Sequence, residues 1–149
     1  MSAERRSRTG VPSQSGHSRR DLHTRRLPNF DRALIVVAPH GDLIAAGRKA
    51  ALVKSRRYHM EGETLLVIQS KRAIGTVVLA APRVITLATF RRQRGRHLVS
   101  ENERRRWWPS KTIFYLYDIA EFRPLATPVA IDYPRGPQIF VRKETLSVR

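Results

Sequence analysis

The chain contains no cysteine, only five lysines and only 12 acidic residues among its 149. Without cysteine there can be no disulfide, no zinc–thiolate site and no thiol nucleophile. No apolar run approaches the ~18–20 residues needed to cross a bilayer, so a helical membrane anchor is not expected. The basic N-terminus is not followed by the apolar core of a signal peptide, which points to the cytoplasm. No phosphate loop and no Gly-x-Gly-x-x-Gly motif is present. The five histidines, His17, His23, His40, His59 and His97, lack metal-ligand spacing such as a helical i, i+4 pair. Neither a metal nor another cofactor is expected.

Arginine is what the chain has in excess. Lysine and arginine together number 29, and removing Lys49, Lys54, Lys71, Lys111 and Lys143 leaves 24 arginines. The formal net charge is +17. Arginine-rich codon usage explains the share of arginine but not this imbalance. A folded chain so charged repels itself unless a polyanion neutralises it. The planar guanidinium matches phosphate and stacks on bases, so RNA is the expected partner, with DNA as the alternative polyanion.

Residues 1–28 read as a disordered basic tail. They hold Arg5, Arg6, Arg8, Arg19, Arg20, Arg25 and Arg26 against only Glu4 and Asp21, in a background of Ser, Thr, Gly, Gln and Pro. Such a segment buries too little apolar surface to offset the entropy of ordering. Its composition fits an RNA-binding arm or a solubilising tail equally well; an organellar targeting peptide is also rich in Arg and Ser and poor in acid, but this segment lacks the amphipathic apolar face of one.

Residues 29–149 read as one domain. Ala33–Ala38 is an apolar run expected to form a buried strand, and His40–Ala46 a short helix with Gly47 at its C′ position. A strand is expected at Lys49–Val53, a turn at Glu61-Gly62-Glu63 and a strand at Thr64–Gln69. Ser70-Lys71-Arg72 is a tight connection, so Ala73–Ala81 should return as a hairpin partner. Gly75 within it signals a bulge or a close backbone approach. The basic stretch Arg91–Arg106 carries a capping-box pattern, Ser100 with Glu103. Thr112–Ile119 is a strand by alternation, Pro124 and Pro128 are expected to interrupt the chain beyond it, and Gln138–Arg142 is a final strand. The sum is a mixed β/α, mainly β chain: a small closed or nearly closed barrel of five or six strands with short helices at its ends.

Two constellations carry chemistry. Arg48, Lys49, Lys54, Arg56 and Arg57 are five basic residues without an intervening acid, followed by Tyr58. On a strand, Lys54 and Arg56 would share a side. They suit phosphate binding, or equally the guarding of an exposed sheet edge. Arg104, Arg105 and Arg106 precede Trp107 and Trp108, with Lys111 beyond. Guanidinium groups beside aromatic rings suit an unpaired base. One tryptophan is expected in the core and the other, Trp108, at the surface. Asp42, Glu61, Glu63, Glu101 and Glu103 read as caps, turn residues and local charge compensation.

The order of these elements resembles the ASCH domain family of the PUA-like superfamily. The resemblance spans about Ala33 to Val141. It rests on Gly47 and Lys49, Arg56 and Tyr58, Gly62-Glu63, Ala73–Leu79, a tryptophan at 107 or 108, and Tyr115–Pro128. It implies a small β-barrel and RNA binding. Of the family pattern Gly-x-Lys-x-x-Glu-x-Arg, Gly47 and Lys49 match, Lys54 replaces the arginine, and Leu52 stands where the acid belongs. Members similar to amidohydrolases of modified cytidine carry a threonine nucleophile at that position, working with the lysine and a distant glutamate. Leu52 can serve as neither acid nor nucleophile, so the resemblance implies a non-catalytic RNA-binding module. An amidohydrolase or ribonuclease using Lys49 is the first alternative, and a structural component of a ribonucleoprotein the second.

Overall fold

The computed structural model describes residues 27–136 and 139–149. The basic tail lies outside the described residues up to residue 26, as do positions 137 and 138. Leu27 is half-buried and packs against the core.

Eight strands form one curled sheet with short helices against it. Strand β1 is Arg32–Val36, β2 Ala51–Lys54, β3 Leu65–Gln69, β4 Arg72–Leu79, β5 Arg83–Thr86, β6 Ile113–Asp132, β7 Phe140–Arg142 and β8 Ser147–Val148. Helix α1 is His40–Ala45, α2 Leu87–Arg92, α3 Arg94–His97 and α4 Glu101–Trp107. The strand order is β2-β6-β4-β3-β1-β7, with β5 and β8 also paired to β6. The mainly β, barrel-like expectation holds, with eight strands in place of five or six. Strands β5 and β8 are too short to carry a periodic pattern.

Local chemistry explains the turns. Helix α1 ends in a Schellman motif: Gly47 has φ +74°, its amide donates to the Ile44 carbonyl, and the Arg48 amide donates to the Leu43 carbonyl. Ser70 and Lys71 both have positive φ, 52° and 60°, giving the two-residue hairpin that joins β3 to β4. Ser100 and Glu103 form the expected capping box on α4.

Both readings of Gly75 are realised. The β3–β4 register shifts beside it, and a Cβ there would come 2.5 Å from the Arg123 carbonyl oxygen and 2.6 Å from the Phe122 ring. The prolines do not end β6. Gly75 pairs with Pro124 and Ala73 with Val129, so residues 125–128 bulge opposite Ile74 alone and the strand resumes. Proline lacks an amide hydrogen, and a bulge is where a sheet tolerates that loss.

Strand β3 is buried throughout, because it lies between β1 and β4 with both faces covered. One face joins Leu34, Leu52, Leu65, Val67, Val77 and Tyr117 inside the curl. The other packs Leu66 and Ile68 with Phe30, Val129 and Ile131. A third cluster of Val53, Ile85, Phe90, Phe114 and Leu116 lies around helix α2 and the β2-β6-β5 strands. Strands β2 and β7 end the strand order, so the barrel has a seam rather than a closed wall.

Candidate functional site

A pocket of about 260 Å³ opens at that seam, between the end of β1 and the edge of β2. The site residues His40, Lys49, Lys54, Tyr58, Trp107 and Trp108 all line it.

The Schellman turn places Lys49 one residue after Arg48, in the connection before β2 and not on a strand as expected. Its backbone amide donates to the Leu43 carbonyl at 3.1 Å. Its side chain is buried, and Nζ donates to the His97 carbonyl oxygen. Lys49 is thus part of the pocket wall and not of an exposed strand face. Burial, then the neighbouring charge of Lys54, lowers its pKa to about 7, although Glu103 opposes the shift. Lys54 closes β2 and is half-buried, and desolvation lowers its pKa to about 8. Neither lysine forms an ion pair among the described residues.

His40 opens α1, and its Nε2 lies 2.9 Å from Glu103 Oε2. Burial, followed by the charge of Lys49, lowers the His40 pKa against the pull of Glu103. A neutral His40 therefore donates Nε2–H to the carboxylate, and Nδ1 is a buried acceptor with no partner among the described residues. Burial pushes the Glu103 pKa up, but the Ser100 amide and His40 outweigh it and the net shift is downward.

His97 plays a structural part behind the site. Its Nε2–H donates to the Phe90 carbonyl at 2.7 Å, its Nδ1 accepts the Val99 amide at 2.9 Å, and its ring lies 4.3 Å from that of Phe90. Desolvation lowers its pKa to about 4.

Tyr58 is clamped by Tyr117, whose hydroxyl accepts the Tyr58 amide at 2.7 Å and donates to the Tyr58 carbonyl at 2.8 Å. The Arg56 guanidinium sits 5.0 Å from the Tyr58 ring centre. Arg56 and Arg57 lie in the bend after β2, so Lys54 and Arg56 do not share a strand face. Arg57 is paired with Glu61 at 3.1 Å.

The tryptophans correct the sequence reading. Trp107 ends α4 and Trp108 caps it, so they are not alternating residues of an extended chain. Both are half-buried and both line the pocket, with ring centres 5.6 Å apart. Arg104 is a second correction. It is buried and paired with Glu101 at 3.1 Å, because the i, i+3 spacing on α4 brings them together. Arg48, Arg105, Arg106 and Lys111 are exposed.

Sequence reasoning missed His40 as a pocket residue and Glu103 as its partner behind the lining. It screened histidines only against each other for metal spacing, and the capping box fully accounted for Glu103. A carboxylate has two oxygens, and the box uses one.

The curled sheet and the short helices around it form an ASCH-type fold. No family model matches the sequence, and no curated protein matches it. Among solved structures, the ASCH protein of Zymomonas mobilis matches with a TM-score of 0.64 at 17% identity, over 76% of this chain and 89% of that one. A serine-to-alanine variant of that protein matches with a TM-score of 0.65 at 17% identity, over 80% and 94%. A tyrosine-to-phenylalanine variant matches with 0.63 at 18% identity, over 78% and 94%. No helix among the described residues is long and apolar enough to cross a membrane.

Proposed function

We propose that this chain is an RNA-binding domain that takes one unpaired nucleotide into the seam pocket. One observation carries the reading: both tryptophans line the same pocket as two lysines that form no ion pair among the described residues. A base stacked on an aromatic ring contributes ~1–3 kcal/mol. Arg48, Arg56, Arg105, Arg106 and Lys111 supply exposed positive charge for the flanking phosphates. The chain has only two tryptophans, so its fluorescence reports on the pocket alone. Titration with a short single-stranded RNA is expected to quench that emission saturably, and duplex RNA is not. RNA retained on a filter with tryptophan emission unchanged would place the ligand elsewhere.

A second reading, hydrolysis of RNA or of a modified nucleoside, is favoured by Lys49, whose pKa of about 7 suits proton transfer near neutral pH. Against it, Leu52 is 4% exposed and part of the core, and offers no nucleophile. Incubation with acetylated cytidine and with a mixed RNA pool separates the two. Turnover lost in Lys49→Arg, which cannot act as a base, would favour the hydrolase.

A further inference from the structure

The charges around the pocket do not balance. Lys49 and Lys54 line it, and His40 stands between the first helix and the last. Among the described residues the acid acting on this group is Glu103, and both of its oxygens are engaged, Oε1 by the Ser100 amide at 2.9 Å and Oε2 by His40 at 2.9 Å. His97 turns its imidazole away, to Phe90 and Val99, and offers the pocket's Lys49 only its carbonyl. Ser55 and Tyr58 belong to the same lining. Two lysines with no ion-pair partner among the described residues and a wall of two indoles form one compartment.

We infer that the pocket reads a chain end: a nucleotide whose terminal phosphomonoester lies between Lys49 and Lys54 while its base lies against Trp107 and Trp108. This rests on the RNA-binding reading above. An internal phosphodiester brings one negative charge, and the exposed arginines already suit a path of diesters. A terminal phosphomonoester brings a charge of about −1.5 to −2 at neutral pH and three acceptor oxygens, which matches two ammonium groups. Both lysines are held below their ordinary pKa by burial. A dianion beside them reverses both shifts, so binding is accompanied by proton uptake near neutral pH.

The experiment compares short single-stranded oligoribonucleotides of one sequence ending in 5′-hydroxyl, 5′-phosphate or 3′-phosphate, by fluorescence anisotropy with the full chain. One phosphorylated end is expected to bind about tenfold more tightly than the hydroxyl end, the scale of one charge-assisted contact. Lys54→Gln is expected to bring that ratio close to one, and Lys54→Arg, which keeps the charge, to retain a preference. A nucleoside monophosphate should displace the phosphorylated RNA at concentrations where inorganic phosphate does not. Equal binding of all three RNAs would overturn the inference and leave RNA binding standing. A preference that survives Lys54→Gln, or equal competition by inorganic phosphate, would overturn it as well. Failure of every RNA to bind would overturn the reading beneath it.

Discussion

His40 Nε2 lies 2.9 Å from Glu103 Oε2, although 63 residues separate them in the chain. The contact joins the first turn of α1 to the first turn of α4, on either side of the seam pocket. Glu103 serves two structures at once: its Oε1 completes the capping box and its Oε2 fixes the tautomer of His40. Lys49, within electrostatic reach of both, is consequently neither neutralised nor freely solvated.

Glu103→Gln tests that arrangement. Glutamine can still accept the Ser100 amide, so the helix cap should largely persist. The negative charge is lost, and with it the pull that raises His40 and Lys49. Both groups are expected to titrate lower than in the parent chain, measured by NMR of the imidazole and of the lysine side chain. Unchanged titration of Lys49 would show that Glu103 does not reach it.

RNA affinity is expected to fall steeply with salt, with a log–log slope of about −0.7 per phosphate contact on single strands. Arg48 and Arg106 are exposed and form no ion pair among the described residues. Changing both to glutamine should flatten the slope by up to about 1.4, two contacts at that increment. Affinity independent of salt would remove phosphate pairing as the driving force.

Stability is expected to rise with pH from about 7 towards 10. The folded pKa of Lys49 is about 7 and that of Lys54 about 8, against 10.5 for an unperturbed lysine. Between those values the unfolded chain binds more protons than the folded one, so raising pH favours folding. Below about 7 both states are protonated and the burden of burying the charge is fully felt. His97, lowered to about 4 from 6.5, gives a separate rise across that lower window. Melting temperatures measured from pH 6 to 9.5 should climb, and Lys49→Met should flatten the climb. The slope is the readout, because the substitution also deprives the His97 carbonyl of its donor.

Gly75→Ala is expected to destabilise the domain by about 1–3 kcal/mol. The added Cβ would stand 2.5 Å from the Arg123 carbonyl oxygen and 2.6 Å from the Phe122 ring, and the first of these is backbone that cannot swing away. Urea unfolding measures the change. A loss below about 0.5 kcal/mol, within the range of ordinary surface substitutions, would show that β6 can shift to admit it.

Several features were legible because they are local. Gly47 past a short apolar helix, the Ser70-Lys71 hairpin, the Ser100/Glu103 box and the apolar runs of β1 and β3 each depend on residues within one turn or one strand. The surplus of arginine is likewise a property of composition, and it points to a polyanion whatever the fold. The element order was enough to resemble an ASCH-type barrel, which the curled sheet bears out.

What needed the tertiary structure was every relationship that crosses the sheet. Pro124 and Pro128 look like strand breakers until β6 bulges at residues 125–128, opposite Ile74 of β4, and resumes its pairing. Arg104 looks like a nucleic-acid contact until α4 turns it onto Glu101 and into the interior. Trp107 and Trp108 look like one inside and one outside until the end of a helix sets both against the same seam. Lys49 looks like a surface cation until the Schellman turn carries it under the His97 carbonyl. A pattern of residue types specifies periodicity and charge. Which groups meet, and how much water they lose in meeting, is set by the register and curl of the sheet, and those depend on pairings between distant segments.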